Sequence, residues 1–147
     1  MSDSNDIIIG FNISTTDSTA ELGVRVYLDQ TVVHENSHVK ESYNFSHPIS
    51  DVDGEHELEI ELFGKQPSHT TIKENGEILK DAMLTVENIE LDGINVSEIM
   101  SLVGKYHHDF NGTQPPTVER FYSNLGCNGT VKLKFSTPVY LWLLENM

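Results

Sequence analysis

Basic residues are scarce in this chain, with 9 lysines and arginines against 23 aspartates and glutamates, and the formal net charge is −14. Binding to nucleic acid requires a basic surface that neutralises phosphates, so this composition argues against nucleic-acid partners. It argues equally against docking on anionic lipid. The basic residues are also unevenly distributed, because residues 1–63 contain only Arg25 and Lys40. We therefore expect two faces or ends of unequal electrostatic potential.

Cysteine and long apolar runs are scarce as well. Cys127 is the single cysteine, so no disulfide can form within one chain. No segment approaches the roughly 18 consecutive apolar residues of a membrane-spanning helix. Residues 1–6 are polar and acidic and lack the basic and apolar regions of a secretory signal. These absences predict a protein made in a reducing compartment without a membrane partner.

The chain is rich in alternating patterns instead. Residues 56–62 alternate between glutamates and Leu58, Ile60 and Leu62, and a period of two with one apolar face indicates a half-buried strand. Similar patterns recur at residues 24–28, 84–91 and 131–135, the second with a bend at Glu87-Asn88. The continuously apolar runs at residues 7–11 and 139–144 predict strands covered on both faces.

Turn residues and two short helical patterns complete the fold prediction. Dipeptides that tolerate the positive φ of tight turns, such as Asp92-Gly93, separate the strand patterns. Apolar residues at helical spacing after Pro115-Pro116 predict a helix over about 116–125, and a second helical turn is predicted over about 97–103. The sequence thus predicts an all-β, jelly-roll-like antiparallel β-sandwich that forms a single domain over residues 1–147.

Catalytic motifs are missing from the sequence. There is no G-x-S-x-G, no phosphate-binding loop and no G-x-G-x-x-G. The glutamates of residues 55–61 indicate a solvated strand face, and no carboxyl pair in differing environments is evident. His34 with His38, or His107 with His108, leaves a metal-dependent enzyme as an alternative, although no third ligand is placed. We predict a protein that is not an enzyme and needs no cofactor.

Residues 54–63 and 81–93 carry a more specific pattern. The first segment opens with Gly-x-His, and the second follows Asp-x-x-Leu-x-Val-x-x-Ile-x-x-x-Gly. With the hairpin of residues 24–32, these segments resemble the calcium-dependent xylan-binding modules, which are jelly rolls, over roughly residues 22–93. The resemblance implies a carbohydrate ligand and a calcium ion that meets Asp81. Aromatic residues for stacking on sugar rings would come from Tyr43, Phe45, Tyr106 and Tyr122.

The chain departs from those modules after Phe63. They typically supply asparagine and aspartate ligands there, whereas this chain has Gly64 and Lys65. A lysine is a poor neighbour for a divalent cation. The alternative for Asp81 is a turn aspartate ahead of a strand, so calcium stays open.

In its composition and its C-terminal segment, residues 137–144, the chain is also similar to small acidic proteins encoded by marine tailed phages. That similarity implies an accessory virion protein, either a head decoration protein or a tail or fibre module, made in the host cytoplasm. Its partner would be a capsid or tail protein, and the protein would be oligomeric or particle-associated. The docking residues are predicted among the cations of the second half, Lys105, Arg120, Lys132 and Lys134. The alternative function is a stand-alone carbohydrate-binding module.

Overall fold

The computed structural model describes residues 6–50, 52–66, 70–72, 74–76, 78–109, 114–121 and 123–146. Two antiparallel sheets dominate these residues. One sheet contains β1 (Asp6–Thr15), β4 (Tyr43–Ser50), β8 (Leu84–Leu91), β9 (Ile94–Asn95) and β12 (Asn124–Leu125). The other contains β2 (Gly23–Leu28), β3 (Thr31–Asn36), β5 (Gly54–Phe63), β10 (Lys105–His108), β11 (Thr117–Arg120) and β13 (Gly129–Thr137).

Smaller elements connect or flank these sheets. A separate hairpin joins β6 (Thr70–Ile72) and β7 (Ile78–Asp81), and the two helices of the described residues are α1 (Ser97–Val103) and α2 (Val139–Glu145). The five-stranded sheet has the order β12-β8-β1-β4 with β9 beside β8, and the six-stranded sheet has the order β11-β10-β13-β5-β2-β3. No helix among the described residues is both long and apolar enough to cross a membrane.

One hydrophobic core lies between the two sheets. The long strands contribute alternate residues to it, such as Ile9 and Phe11 of β1, Leu58 and Ile60 of β5, and Leu133 of β13. The intervening residues face outward, because successive side chains of a strand point to opposite sides of the sheet. The predicted all-β antiparallel sandwich is therefore confirmed, and the alternating patterns correctly identify the buried faces of β2, β5, β8 and β13.

Local features of β8 and its turn also follow the sequence. The predicted bend appears at Asn88, whose φ of 55° interrupts the extended backbone, and the register with β1 shifts opposite this point. Asp92 and Gly93 both have positive φ, as a two-residue hairpin turn requires, and they join β8 to β9. The predicted helix at 97–103 is confirmed as α1.

The predicted helix over 116–125 is wrong. Its residues form β11, which pairs with β10 of one sheet, and β12, which pairs with β8 of the other. Between them Ser123 has a φ of 77°, which no helical residue adopts. The helical spacing arose because Phe121 enters the core where the chain crosses from one sheet to the other.

The C-terminal apolar run forms a helix instead of the predicted strand. In α2 the buried residues are Val139, Trp142 and Leu143, which have the i, i+3, i+4 spacing of one helix face. The other face exposes Tyr140, Leu141 and Leu144, so the run is apolar all round. Because these exposed residues are also apolar, the sequence pattern conceals the helical period.

Two leucines of opposite exposure test the position of the core. Leu133 is fully buried between the sheets, whereas Leu102 on α1 is 64 % exposed. We expect Leu133→Ala to lower the free energy of unfolding by about 2–5 kcal/mol, because it removes buried methyl groups and leaves a cavity. Leu102→Ala should change it by less than about 0.5 kcal/mol. Urea unfolding measures both values, and equal losses would contradict this assignment of the core.

Candidate functional site

The outer face of the six-stranded sheet carries a line of cations. Lys105 of β10 lies directly opposite Arg120 of β11 on one side and Lys132 of β13 on the other. Directly opposite residues of antiparallel strands project to the same face of the sheet. We call Arg120, Lys105 and Lys132 the cation row. Since neighbouring strands lie about 4.8 Å apart, the row crosses about 10 Å of the sheet.

The row continues into acidic and aromatic residues. Lys132 lies opposite Glu59 of β5, and Glu59 lies opposite Tyr27 of β2. Lys134, two residues beyond Lys132, lies opposite Glu57 on the same face. The structure thus brings all four predicted docking cations to one face of one sheet, in a chain that is otherwise strongly acidic. Their role in docking stays a prediction.

The part of the face over β2 and β3 is held by internal ion pairs. Arg25 contacts Glu35 at 3.0 Å and Glu61 at 2.9 Å, and its guanidinium lies 4.5 Å from the centre of the Phe63 ring. Tyr27 donates its hydroxyl proton to Glu61 at 2.9 Å. The hydrogen bond to Glu35, followed by that to Tyr27, raises the pKa of Arg25. These contacts fix the side chains beside the cation row.

The charges of the row affect the groups around it. Burial is the main cause that lowers the pKa of His107, and the nearby charges of Lys132 and Lys105 lower it further. Burial also raises the pKa of Glu59, and its neighbour Glu57 contributes to that shift. The face therefore presents a cationic region and a carboxylate region side by side.

Asp81, the predicted calcium ligand, is bound to a lysine of the protein. Lys65 Nζ donates to Asp81 Oδ1 at 2.6 Å, to the Gly126 carbonyl at 2.9 Å and to the Ala82 carbonyl. Only 1 % of the Lys65 side chain is exposed. Calcium requires six to eight oxygen ligands at 2.3–2.6 Å, and an ammonium in their midst repels it. The residues that meet at Asp81 therefore do not fit a calcium ion.

The histidines do not form a metal site in the described part of the chain. His34 Nε2 lies 2.7 Å from the Tyr43 hydroxyl, and His38 Nε2 lies 2.9 Å from the Ser18 carbonyl. His108 is buried against Glu119 at 2.7 Å, whereas its neighbour His107 lies on the outer face. Within the described ranges, no three histidine, cysteine, aspartate or glutamate residues are grouped closely enough to hold a metal ion.

The hydrogen bonds made by the His56 ring were not identified from the sequence. Its Nδ1 lies 2.8 Å from Asp29 Oδ2, and its Nε2 lies 3.2 Å from Thr137 Oγ1. The arrangement resembles a catalytic triad, but Thr137 is buried and donates its hydroxyl proton to the Val52 carbonyl. His56 therefore joins the β2–β3 turn to the end of β13. The Gly-x-His motif was the only sequence signal for it.

Three of the predicted sugar-stacking aromatics, Tyr43, Phe45 and Tyr106, are buried or half-buried. Phe45 packs in the core against Phe11, and Tyr106 is buried with its hydroxyl hydrogen-bonded to the backbone of Cys127. Tyr43 is half-buried against His34, and burial raises the pKa of its hydroxyl. Phe45 and Tyr106 cannot stack on a sugar because alternation places their rings inward, so these two assignments are wrong. The role of Tyr43 stays a prediction, and Tyr122 lies outside the described residues.

An apolar groove lies between the two helices. We define the apolar groove by Ile94, Ile99, Leu102, Tyr140, Leu143 and Leu144. Leu102 is 64 % exposed and Leu144 is 70 % exposed. Glu98 and Arg120 also line the groove, so one end of the cation row reaches it. The groove is a second candidate site of a different chemical character.

Comparison with known proteins locates the fold. No family model and no curated protein matches the chain. A selenomethionine form of vCBM60, described among the calcium-dependent carbohydrate-binding modules, has a TM-score of 0.53 at 11 % identity, and the match covers 86 % of this chain and 88 % of that one. The complex of vCBM60 with galactobiose has a TM-score of 0.48 at 12 % identity, and the match covers 85 % of this chain and 95 % of that one. The chain shares the β-sandwich fold of these modules.

The burial of His34 predicts a pH dependence of stability. Burial lowers the pKa of His34 in the folded chain. In the unfolded chain the imidazole takes up a proton near pH 6.5, whereas in the folded chain it does so only at a lower pH. The neutral His34 therefore contributes stability at pH 7.5 that is lost as the pH falls below about 6.5. We expect His34→Gln to weaken the fall in the free energy of unfolding between pH 7.5 and 5.0, as measured in urea. Identical pH profiles for both proteins would contradict this role of His34.

Proposed function

We propose that the chain is a non-catalytic module that binds carbohydrate on the outer face of the six-stranded sheet. The observation that carries this proposal is the registered row of hydrogen-bonding side chains, from Arg120 through Lys105 and Lys132 to Glu59 and Tyr27. Strands hold such groups at fixed spacing, as recognition of a hydroxyl-rich ligand requires. The fold shared with vCBM60, a carbohydrate-binding module, supports this class of ligand.

The charge of the row defines the saccharide further. Three adjacent cations attract carboxylate or sulfate groups, with which lysine and arginine form charge-assisted hydrogen bonds. Glu57 and Glu59 beside them accept hydrogen bonds from hydroxyl groups. We therefore propose an acidic polysaccharide as the ligand, bound in spite of the net charge of −14.

The cation row provides a direct test. We expect the Lys105→Ser/Lys132→Ser double variant to bind an acidic polysaccharide at least tenfold more weakly, because hydrogen bonds to charged groups contribute about 1.5–3 kcal/mol each. Affinity electrophoresis in gels that contain polygalacturonate, a sulfated galactan or neutral xylan measures the retention. Raising the salt concentration should weaken the retention of the wild type.

Two controls separate the sheet faces and the general charge effect. Lys40→Ser removes an exposed lysine outside this face and should leave the retention unchanged. Asn12 and Asn44 form a polar cleft on the other sheet, where Asn12 Nδ2 donates to Asn44 Oδ1 at 3.1 Å. If Asn12→Ala/Asn44→Ala abolished binding to the gel while Lys105→Ser/Lys132→Ser still bound, the assignment of the binding face would be wrong. Absence of retention in all three gels would contradict the proposed function.

The apolar groove favours a second candidate function, which is docking of a protein partner. Contiguous exposed apolar side chains mark interaction surfaces on soluble proteins. Glu98 and Arg120 lie in the same groove, so two copies related by a two-fold axis can oppose each acid with a base. We therefore propose a second copy of this chain as the partner at the groove. The virion location and a capsid or tail partner stay predictions.

Self-association through the groove has a simple readout. We expect the wild type to form dimers at about 100 μM in light scattering coupled to size-exclusion chromatography. Leu102→Glu/Leu144→Glu should return it to the monomer, because buried charges would face each other across the interface. Val52→Glu is the matched control, since Val52 is 56 % exposed and lies between β4 and β5. A wild type that is monomeric at this concentration would contradict the second candidate.

A further inference from the structure

We propose that the ammonium group of Lys65 serves as a built-in cation, which joins three loops without a bound metal ion. Lys65 follows β5, Asp81 ends β7, and Gly126 lies between β12 and β13. The Lys65 Nζ atom contacts Asp81 at the end of β7, the adjacent Ala82, and Gly126 before β13, so it connects these segments to the end of β5. The inference is independent of the carbohydrate proposal, because it concerns stability and metal binding.

The contacts of Lys65 account for all three of its donors. An ammonium group has three N–H donors, and here they reach one carboxylate oxygen and two backbone carbonyls. Burying a charge is costly unless it is paired and hydrogen-bonded, and this lysine meets both conditions. Carboxylate and carbonyl oxygens are also the ligands that calcium takes. The loops thus offer cation-binding oxygens, and the protein supplies the cation.

The backbone around Lys65 holds it in this position. Gly64 has a φ of 84°, and a side chain there would meet the Glu21 carbonyl at 2.9 Å, so a glycine is needed to turn the chain inward. The Lys65 N–H donates to Asn128 Oδ1 at 2.8 Å, and Asn128 Nδ2 donates back to the Lys65 carbonyl at 3.0 Å. The lysine is therefore fixed at both its backbone and its ammonium group.

A calcium ion and the Lys65 ammonium exclude each other at these oxygens. Both are cations, and both need the space between Asp81 and the two carbonyls. We infer that the stability of this protein does not respond to calcium, although vCBM60, which has a similar fold, is described as calcium-dependent. We infer further that removal of the lysine side chain turns the loop cluster into a calcium site.

The experiment compares melting temperatures in 5 mM EDTA and in 5 mM CaCl₂. The two melting temperatures of the wild type should differ by less than 1 °C. By comparison, a ligand that binds only the folded state, at a hundred times its dissociation constant, raises the melting temperature by several degrees. In EDTA, Lys65→Ser should melt more than 5 °C below the wild type. Calcium should restore several degrees to this variant, and titration calorimetry should detect about one bound ion.

Two further variants complete the test. Lys65→Ser/Asp81→Asn removes the carboxylate and should lose the calcium response. Lys40→Ser removes an exposed lysine outside the cation row and should melt as the wild type does in both solutions. A calcium-stabilised wild type would overturn the inference, as would a Lys65→Ser variant that is as stable as the wild type in EDTA or that gains nothing from calcium. If Lys65→Ser does not fold, the more conservative Lys65→Met replaces it. Lys65→Met should melt below the wild type and show no calcium response. This variant and the wild-type comparison then test whether the ammonium group supplies the stability.

Discussion

The antiparallel pairing of β5 with β13 joins the middle of the chain to its C-terminal part. It runs without a register shift from Gly129 opposite Leu62 to Thr137 opposite Gly54. Shifting this register by one residue would move every buried side chain of one strand to the solvent. The same register places Lys132 and Lys134 opposite Glu59 and Glu57. Core, outer face and charge pattern therefore depend on one ladder of hydrogen bonds.

Charged groups occur in two different environments among the described residues. On the outer face of the six-stranded sheet, charged groups project from strands into solvent and are accessible to a ligand. At Lys65 the ammonium group is buried, and the acceptors around it belong to the protein itself. A shared β-sandwich fold therefore does not transfer the metal chemistry of one member to another, because that chemistry is set by loop residues such as Gly64 and Lys65.

How much the sequence predicts depends on whether a pattern is local. The strands of residues 24–28, 56–62 and 131–135 alternate strictly, so burial of one face identifies them. The exposed face of α2 is also apolar, so its sequence pattern predicts a strand where the structure has a helix. The crossing at Phe121 mimics helical spacing, and only the strand pairings on either side of it distinguish the two.

The candidate site shows the same division. The sequence identified Lys105, Arg120, Lys132 and Lys134 as candidate docking residues and Lys65 as an unsuitable neighbour of calcium. Their adjacency required the register of β10, β11 and β13, which no short motif encodes. The contacts of Lys65 with Ala82 and Gly126 involve backbone carbonyls, which every residue has and which therefore leave no trace in the sequence.

The β6–β7 hairpin leaves the sandwich just after Lys65 and returns at Asp81. The ion pair at 2.6 Å between these two residues closes the excursion at its base. The entropic cost of closing a loop grows only slowly with its length. Insertions, deletions and substitutions beyond the ion pair can therefore accumulate without moving β5 or β8. The hairpin therefore offers a place to graft a new peptide without changing the two sheets.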